Sequence, residues 1–162
     1  MVLDVWVDGC KDRMSCRYAG FTKFRTEILR GWNEELGKLY EQKFQYLFDE
    51  NTDINYVRNI LIDIIEKRPR PPSELDMKIS EILDKYDRPY NIGMKIFAYH
   101  SDCDGKIMPY ESRLVLDSFK RVDPEKFDKS NEDDNEWYRE CYDTWIKMLN
   151  YSIEHNKDII FG

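Results

Sequence analysis

The chain has 162 residues, 41% of them hydrophobic, and a formal net charge of -7. That length and apolar content suit one domain, residues 1–162, with a core of its own. The acidic balance excludes a general binder of DNA or RNA, whose affinity rests on neutralising phosphates.

No apolar run approaches the roughly 20 residues of a membrane span. The start, Met1-Val2-Leu3-Asp4, lacks the basic end and long apolar stretch of a signal peptide. A cytoplasmic protein with no membrane partner is therefore expected. Cys10, Cys16, Cys103 and Cys141 form no C-x-x-C pair, and His100 and His155 are the only two histidines. A reduced thiol set is expected, and a structural zinc site is not.

Val2 to Asp8 is a β-rich run closed by Gly9, which predicts a first strand. Cys10 to Arg17 is polar without a period and reads as a loop. From Gly20 the period turns helical, with Phe21, Phe24, Ile28 and Leu29 on one face. Asn33 is an expected N-cap, with Glu34 and Glu35 in the favourable first turn and Leu36, Tyr40, Phe44 and Leu47 lining the next helix. Asp53 opens a third helix through Ile54, Val57, Ile60, Leu61, Ile64 and Ile65. The prolines of Arg68-Pro69-Arg70-Pro71-Pro72 stop it and leave a stiff connector. Ser73 restarts a helix that turns Leu75, Ile79, Ile82, Leu83 and Tyr86 inward.

Met94 to Tyr99 is short and β-rich, which predicts a central strand. Pro109 suits the first position of another helix, carrying Leu114, Val115 and Phe119. Residues 123–136, with their acidic run, read as an exposed loop. A long helix then carries Trp137, Cys141, Trp145, Met148, Leu149 and Ile153, and a strand at Asp158 to Phe161 ends the chain. The expected fold is α+β, with about six helices on a small sheet of three short strands, N-terminal, central and C-terminal.

The most informative segment is residues 100–111, His-Ser-Asp-Cys-Asp-Gly-Lys-Ile-Met-Pro-Tyr-Glu. Laid on a twelve-residue calcium loop, it puts Asp102 at position 3, Asp104 at 5, Gly105 at the sharp turn and Glu111 at 12. Against Ca²⁺ stand His100 at position 1 and the expected strand in front of the loop. A second reading is a structural turn, with Asp102 or Asp104 accepting its own backbone N–H groups and Gly105 left-handed. The third is a functional site, in which His100 at the mouth of a loop, with two carboxylates within four residues, works as a base or a proton shuttle.

The hexapeptide His100 to Gly105, together with Leu3-Asp4, Gly20-Phe21-Thr22-Lys23-Phe24-Arg25 and Ile159-Ile160-Phe161-Gly162, resembles a set of small bacterial and phage proteins that carry the same motif. Val2 departs from the glycine usual there. The resemblance implies a common fold and a shared site, not a reaction.

Arg25 sits at the edge of the first helix's apolar face. It reads either as a snorkelling arginine or as a fixed guanidinium for a carboxylate or phosphate. If it meets the His100 loop, then Arg25, His100, Asp102 and Asp104 form one polar site, with Tyr18, Phe21 and Trp6 as stacking surface. That set suits a small polar or anionic ligand and leads the functional readings. The expectation is a binding protein of phage type that sequesters a nucleotide-like signal of host defence. The alternatives are a His/Asp or metal-dependent hydrolase and an acidic protein-interaction domain. Oligomeric state is left open.

Overall fold

Residues 2–45, 55, 58, 74–100 and 105–162 are described by the structure, a computed structural model. Along Val2–Val7 (β1) exposed and buried positions alternate, because Leu3, Val5 and Val7 face the core. The strand pairs with Arg13–Arg17 (β2) on one side and with Ile159–Phe161 (β4) on the other, both antiparallel. Lys106–Ile107 (β3) adds to β4, giving the order β2-β1-β4-β3.

Six helices accompany this sheet among the described residues: Tyr18–Trp32 (α1), Glu34–Lys43 (α2), Glu74–Leu83 (α3), Arg88–Tyr99 (α4), Pro109–Phe119 (α5) and Glu132–His155 (α6). The α+β class and the first and last strands agree with the sequence. So does Asn33, whose side chain accepts the N–H groups of Glu35 at 3.0 Å and Leu36 at 3.3 Å. Pro109 is the first residue of α5 as expected.

Three expectations need correction. Arg13–Arg17 is a strand, not a loop; buried Met14 and half-buried Cys16 alternate with exposed Arg13, Ser15 and Arg17. Met94 to Tyr99 is the second half of α4, not the central strand. Met94, Phe97 and Ala98 fall at i, i+3 and i+4 and are buried together, and Pro89 sits in the first turn, where it costs no hydrogen bond. The sheet's added strand is Lys106–Ile107, so the sheet has four strands rather than three. The expected loop 123–136 contains a short 3₁₀ turn at Pro124–Lys126, the buried Phe127 and the start of α6, with Asn131 accepting the Asp134 N–H at 3.0 Å. The expected helix over 53–65 lies mostly outside the described residues, as does the proline run; the two described positions within that helix, Asn55 and Arg58, are helical.

The core lies between the inner sheet face and the helices. Phe21, Phe24, Phe97, Phe119, Trp145 and Phe161 interlock there, with ring centroids of 4.8 to 6.5 Å. At its rim, buried Glu27 accepts from Arg30 Nε at 2.8 and 3.0 Å and from the Asp128 N–H at 2.9 Å, which ties α1 to the loop before α6. Burial is the largest influence on this carboxyl and pushes its pKa up, against the lowering effects of the Asp128 N–H and Arg30.

A raised carboxyl pKa means that the folded state holds the proton more tightly than the unfolded chain. The stabilisation from that proton is full below the ordinary carboxylate range and is lost as pH rises through the raised value. Glu27→Gln stays neutral throughout. Wild type is expected to gain stability relative to this variant as urea unfolding is repeated from about pH 7 down to about pH 4. A stability difference that does not change with pH would show that burial does not govern this group.

Candidate functional site

Tyr18, Phe21 and Arg25 are spaced i, i+3 and i+7 on α1 and so share one stripe of the helix. At the other end of the site, α4 stops at Tyr99 and His100 follows in extended backbone. The fold joins the two across 75 positions of sequence: Arg25 Nη2 donates to the His100 carbonyl at 2.5 Å. Arg25 is 5% exposed, so the snorkelling reading is set aside. Its guanidinium lies 4.3 Å from the Phe21 ring centroid and 5.8 Å from that of Phe97. Two aromatic faces thus support a charge brought in from solvent.

A cation at this place also complements the carbonyl end of α4. Tyr40 adds a neutral donor, its hydroxyl bonding the Ala98 carbonyl at 2.9 Å. Beside it, Tyr99 donates to Asp76 at 3.0 Å, and Asp76 also pairs with Lys43 at 2.6 Å. Burial first, then the Asp76 charge, pushes the Tyr99 phenol far above its ordinary pKa, so it remains a donor.

The His100 ring stacks on Phe161 at 4.4 Å and 26°, and its Nε2 lies 3.0 Å from the Lys106 carbonyl, a bond in which the imidazole donates. Gly105 has φ +100, a left-handed value, and its carbonyl accepts the Phe161 N–H at 3.1 Å. Both ends of the hexapeptide are therefore pinned to the sheet edge. Asp102 and Asp104 lie outside the described residues.

The structure thus brings Arg25, Phe21 and His100 together. Phe21 is fully buried under Arg25 and offers no free ring, which corrects its expected role as stacking surface. Tyr18 is half-buried at the start of the stripe. Trp6 lies elsewhere, on the outer face of the sheet, where its register partners are Arg13 and Ile160.

The calcium-loop comparison comes out mixed. A helix, not a strand, precedes the loop, the turn glycine is left-handed, and α5 begins at the tenth position with Pro109. Yet Glu111 Oε1 accepts the Met108 N–H at 3.0 Å as a helix cap, and the Lys106 carbonyl is taken by His100. Two oxygens that calcium needs already have protein partners. No group of three or more His, Cys, Asp or Glu able to hold a metal occurs among the described residues. Cysteine chemistry fares no better. Burial pushes the Cys16 thiol up to about 11 and the Cys141 thiol up to about 12, so neither is a thiolate at neutral pH.

No family model, curated protein or solved structure matches the chain. No described helix is long and apolar enough to cross a membrane.

Proposed function

We propose that this protein binds a small polar anion of nucleotide type at the 100–105 turn where it meets Arg25, and that it acts by holding such a signal, in the manner of phage proteins that blunt host defence. The supporting observation is the hydrogen bond from buried Arg25 to the His100 carbonyl. It sets a fixed positive charge beside a segment whose sequence carries Asp102 and Asp104. Arg25, buried and bonded to the turn, contributes its charge to an anion bound there, while the carboxylates of the turn sequence suit sugar hydroxyls. Burial raises the thiols of Cys16 and Cys141, so these two do not serve as nucleophiles at neutral pH.

Native mass spectrometry with a panel of cyclic mono- and dinucleotides tests this reading. One ligand per chain is expected, with occupancy falling about tenfold in Asp104→Ala, the loss of one charge-assisted hydrogen bond. Absence of a mass shift across the panel sinks the proposal.

The second reading is a divalent-cation loop, favoured by the helix found on both sides of residues 100–111. Chelator-treated protein given calcium separates the two. A rise in melting temperature with Ca²⁺ and none with nucleotides selects the cation, and the reverse selects the anion.

A further inference from the structure

The sheet has an outer edge at β2, and no strand among the described residues pairs beyond it. Which backbone groups it presents follows from the register. Asp4 and Gly162 exchange both hydrogen bonds, at 2.8 and 3.0 Å, so Asp4 turns its N–H and C=O toward β4. Neighbouring residues of a strand point these groups to opposite sides, so Leu3 and Val5 turn theirs toward β2. Their partners, Cys16 and Met14, complete those pairs. Arg13 and Ser15 therefore aim both their N–H and C=O groups away from the sheet, and Arg17 so aims its N–H, while its C=O caps α1. All three residues are exposed.

Self-pairing is the usual hazard of such an edge. Two copies meeting antiparallel about Ser15 would set each Arg13 opposite an Arg17. Like charges directly opposed destabilise a strand pair, so the edge rejects its own copy. The same two cations, four residues apart on one face, complement an incoming strand with acids at that spacing.

The inner side of the edge is shaped as well. A cavity of about 170 Å³ opens between β2 and α6, lined by Arg13, Met14, Ser15, Trp137, Glu140, Cys141 and Thr144. In an added strand the residue opposite Met14 points to this side, and the space takes one branched apolar side chain. Glu140 is the one acid in the lining.

We propose that β2 is a strand-addition site for an extended acidic segment of another protein, with an Asp or Glu opposite both Arg13 and Arg17 and an apolar residue seated between β2 and α6. Main-chain bonds to Arg13, Ser15 and the Arg17 N–H supply affinity, and the alternate side chains supply selection. The net charge of -7 acts at long range and is largely screened beyond about 8 Å at physiological salt. The two arginines act at contact. This site is separate from the 100–105 turn and does not depend on it.

The test uses fluorescence anisotropy of a labelled peptide, Gly-Glu-Val-Thr-Leu-Glu-Gly, and a control with both Glu replaced by Lys. The Glu peptide is expected to bind the full chain about tenfold tighter than the Lys peptide, and the double variant Arg13→Glu, Arg17→Glu to invert that order. Ser15→Pro removes an outward N–H without touching a bond to β1, so circular dichroism should be retained and binding lost. Should Ser15→Pro unfold, the charge inversion alone decides. Equal binding of both peptides, or none of either, overturns the proposal. A dimer by size exclusion that Ser15→Pro dissociates overturns it too, because the edge then belongs to a second copy.

Discussion

Replacing Trp145 by alanine is expected to cost about 4 kcal/mol, within the range for emptying a fully buried aromatic site. Trp145 has no exposed surface and is the ring on which the two halves of the core converge. It stacks on Phe21 of α1 at 6.1 Å, meets Phe97 of α4 edge-on at 5.0 Å, and lies 6.1 Å from Phe119 of α5 and 6.0 Å from Phe161 of β4. Its indole N–H points at the Met14 sulfur at 3.1 Å, linking α6 to β2.

Those neighbours belong to five different elements, and no single one can move in to close the hole. The residual cavity therefore stays large, and its cost adds to the lost burial. For a chain of this size the melting temperature should fall by roughly 8 to 16 °C. Trp145→Phe keeps most of the ring contacts and loses the N–H, so about 1 to 2 kcal/mol is expected. Thermal unfolding followed by circular dichroism measures both. An alanine variant melting within about 3 °C of wild type would mean that the aromatic cluster repacks and that the core is less closely interlocked than its geometry indicates.

Gly93→Ala should be nearly as damaging, although it adds only a methyl group. A Cβ built on Gly93 lies 2.1 Å from the Leu114 carbonyl oxygen, 2.5 Å from the Leu114 carbonyl carbon and 2.4 Å from Ser118 Oγ. The first two are backbone atoms of α5 and cannot swing aside. The methyl therefore forces α4 and α5 apart along their contact. Separation also strains the 2.6 Å hydrogen bond from Ser118 Oγ to the Tyr90 carbonyl.

Alanine is the better helix former by about 1 kcal/mol, which works in the variant's favour. Overpacking against backbone sits at the top of the usual range, so a net loss of about 3 kcal/mol is expected. Urea unfolding gives the number, with the slope compared as well as the midpoint, since an altered slope signals a changed native state rather than a weaker one. A loss under about 0.5 kcal/mol would show that the two helices are not held this close in solution. In the sequence Gly93 stands just before the β-rich hexad 94–99 with nothing to mark it as a packing residue; only the partner helix reveals what its missing side chain is for.

The candidate site was half legible. Arg25 and His100 stood out by residue type and position, yet their meeting is a matter of α1 crossing the carbonyl end of α4. In the sequence Phe21 reads as spare aromatic surface, because a stripe of rings does not say which ring the core claims. Burial under Arg25 decides that. The β2 edge reads as a loop in the sequence because five residues with only two apolar side chains are too short a run to stand out. Its signal was the pair Met14 and Cys16, two apart.

What the sequence determined by itself is what neighbours along the chain decide. Asn33 caps its helix because its own side chain reaches the next N–H groups, and Pro109 starts one because its ring presets the first turn. The apolar stripes of α1 and α6 follow from a repeat that any partner would satisfy. Tertiary structure decided the rest. Met94 to Tyr99 is β-rich yet helical, because strand propensity reflects packing against neighbours, and here the neighbour is α5 laid directly on Gly93. Arg13–Arg17 became a strand because β1 was there to pair with it. Periodicity specifies which face of an element is buried; only the assembled core specifies against what.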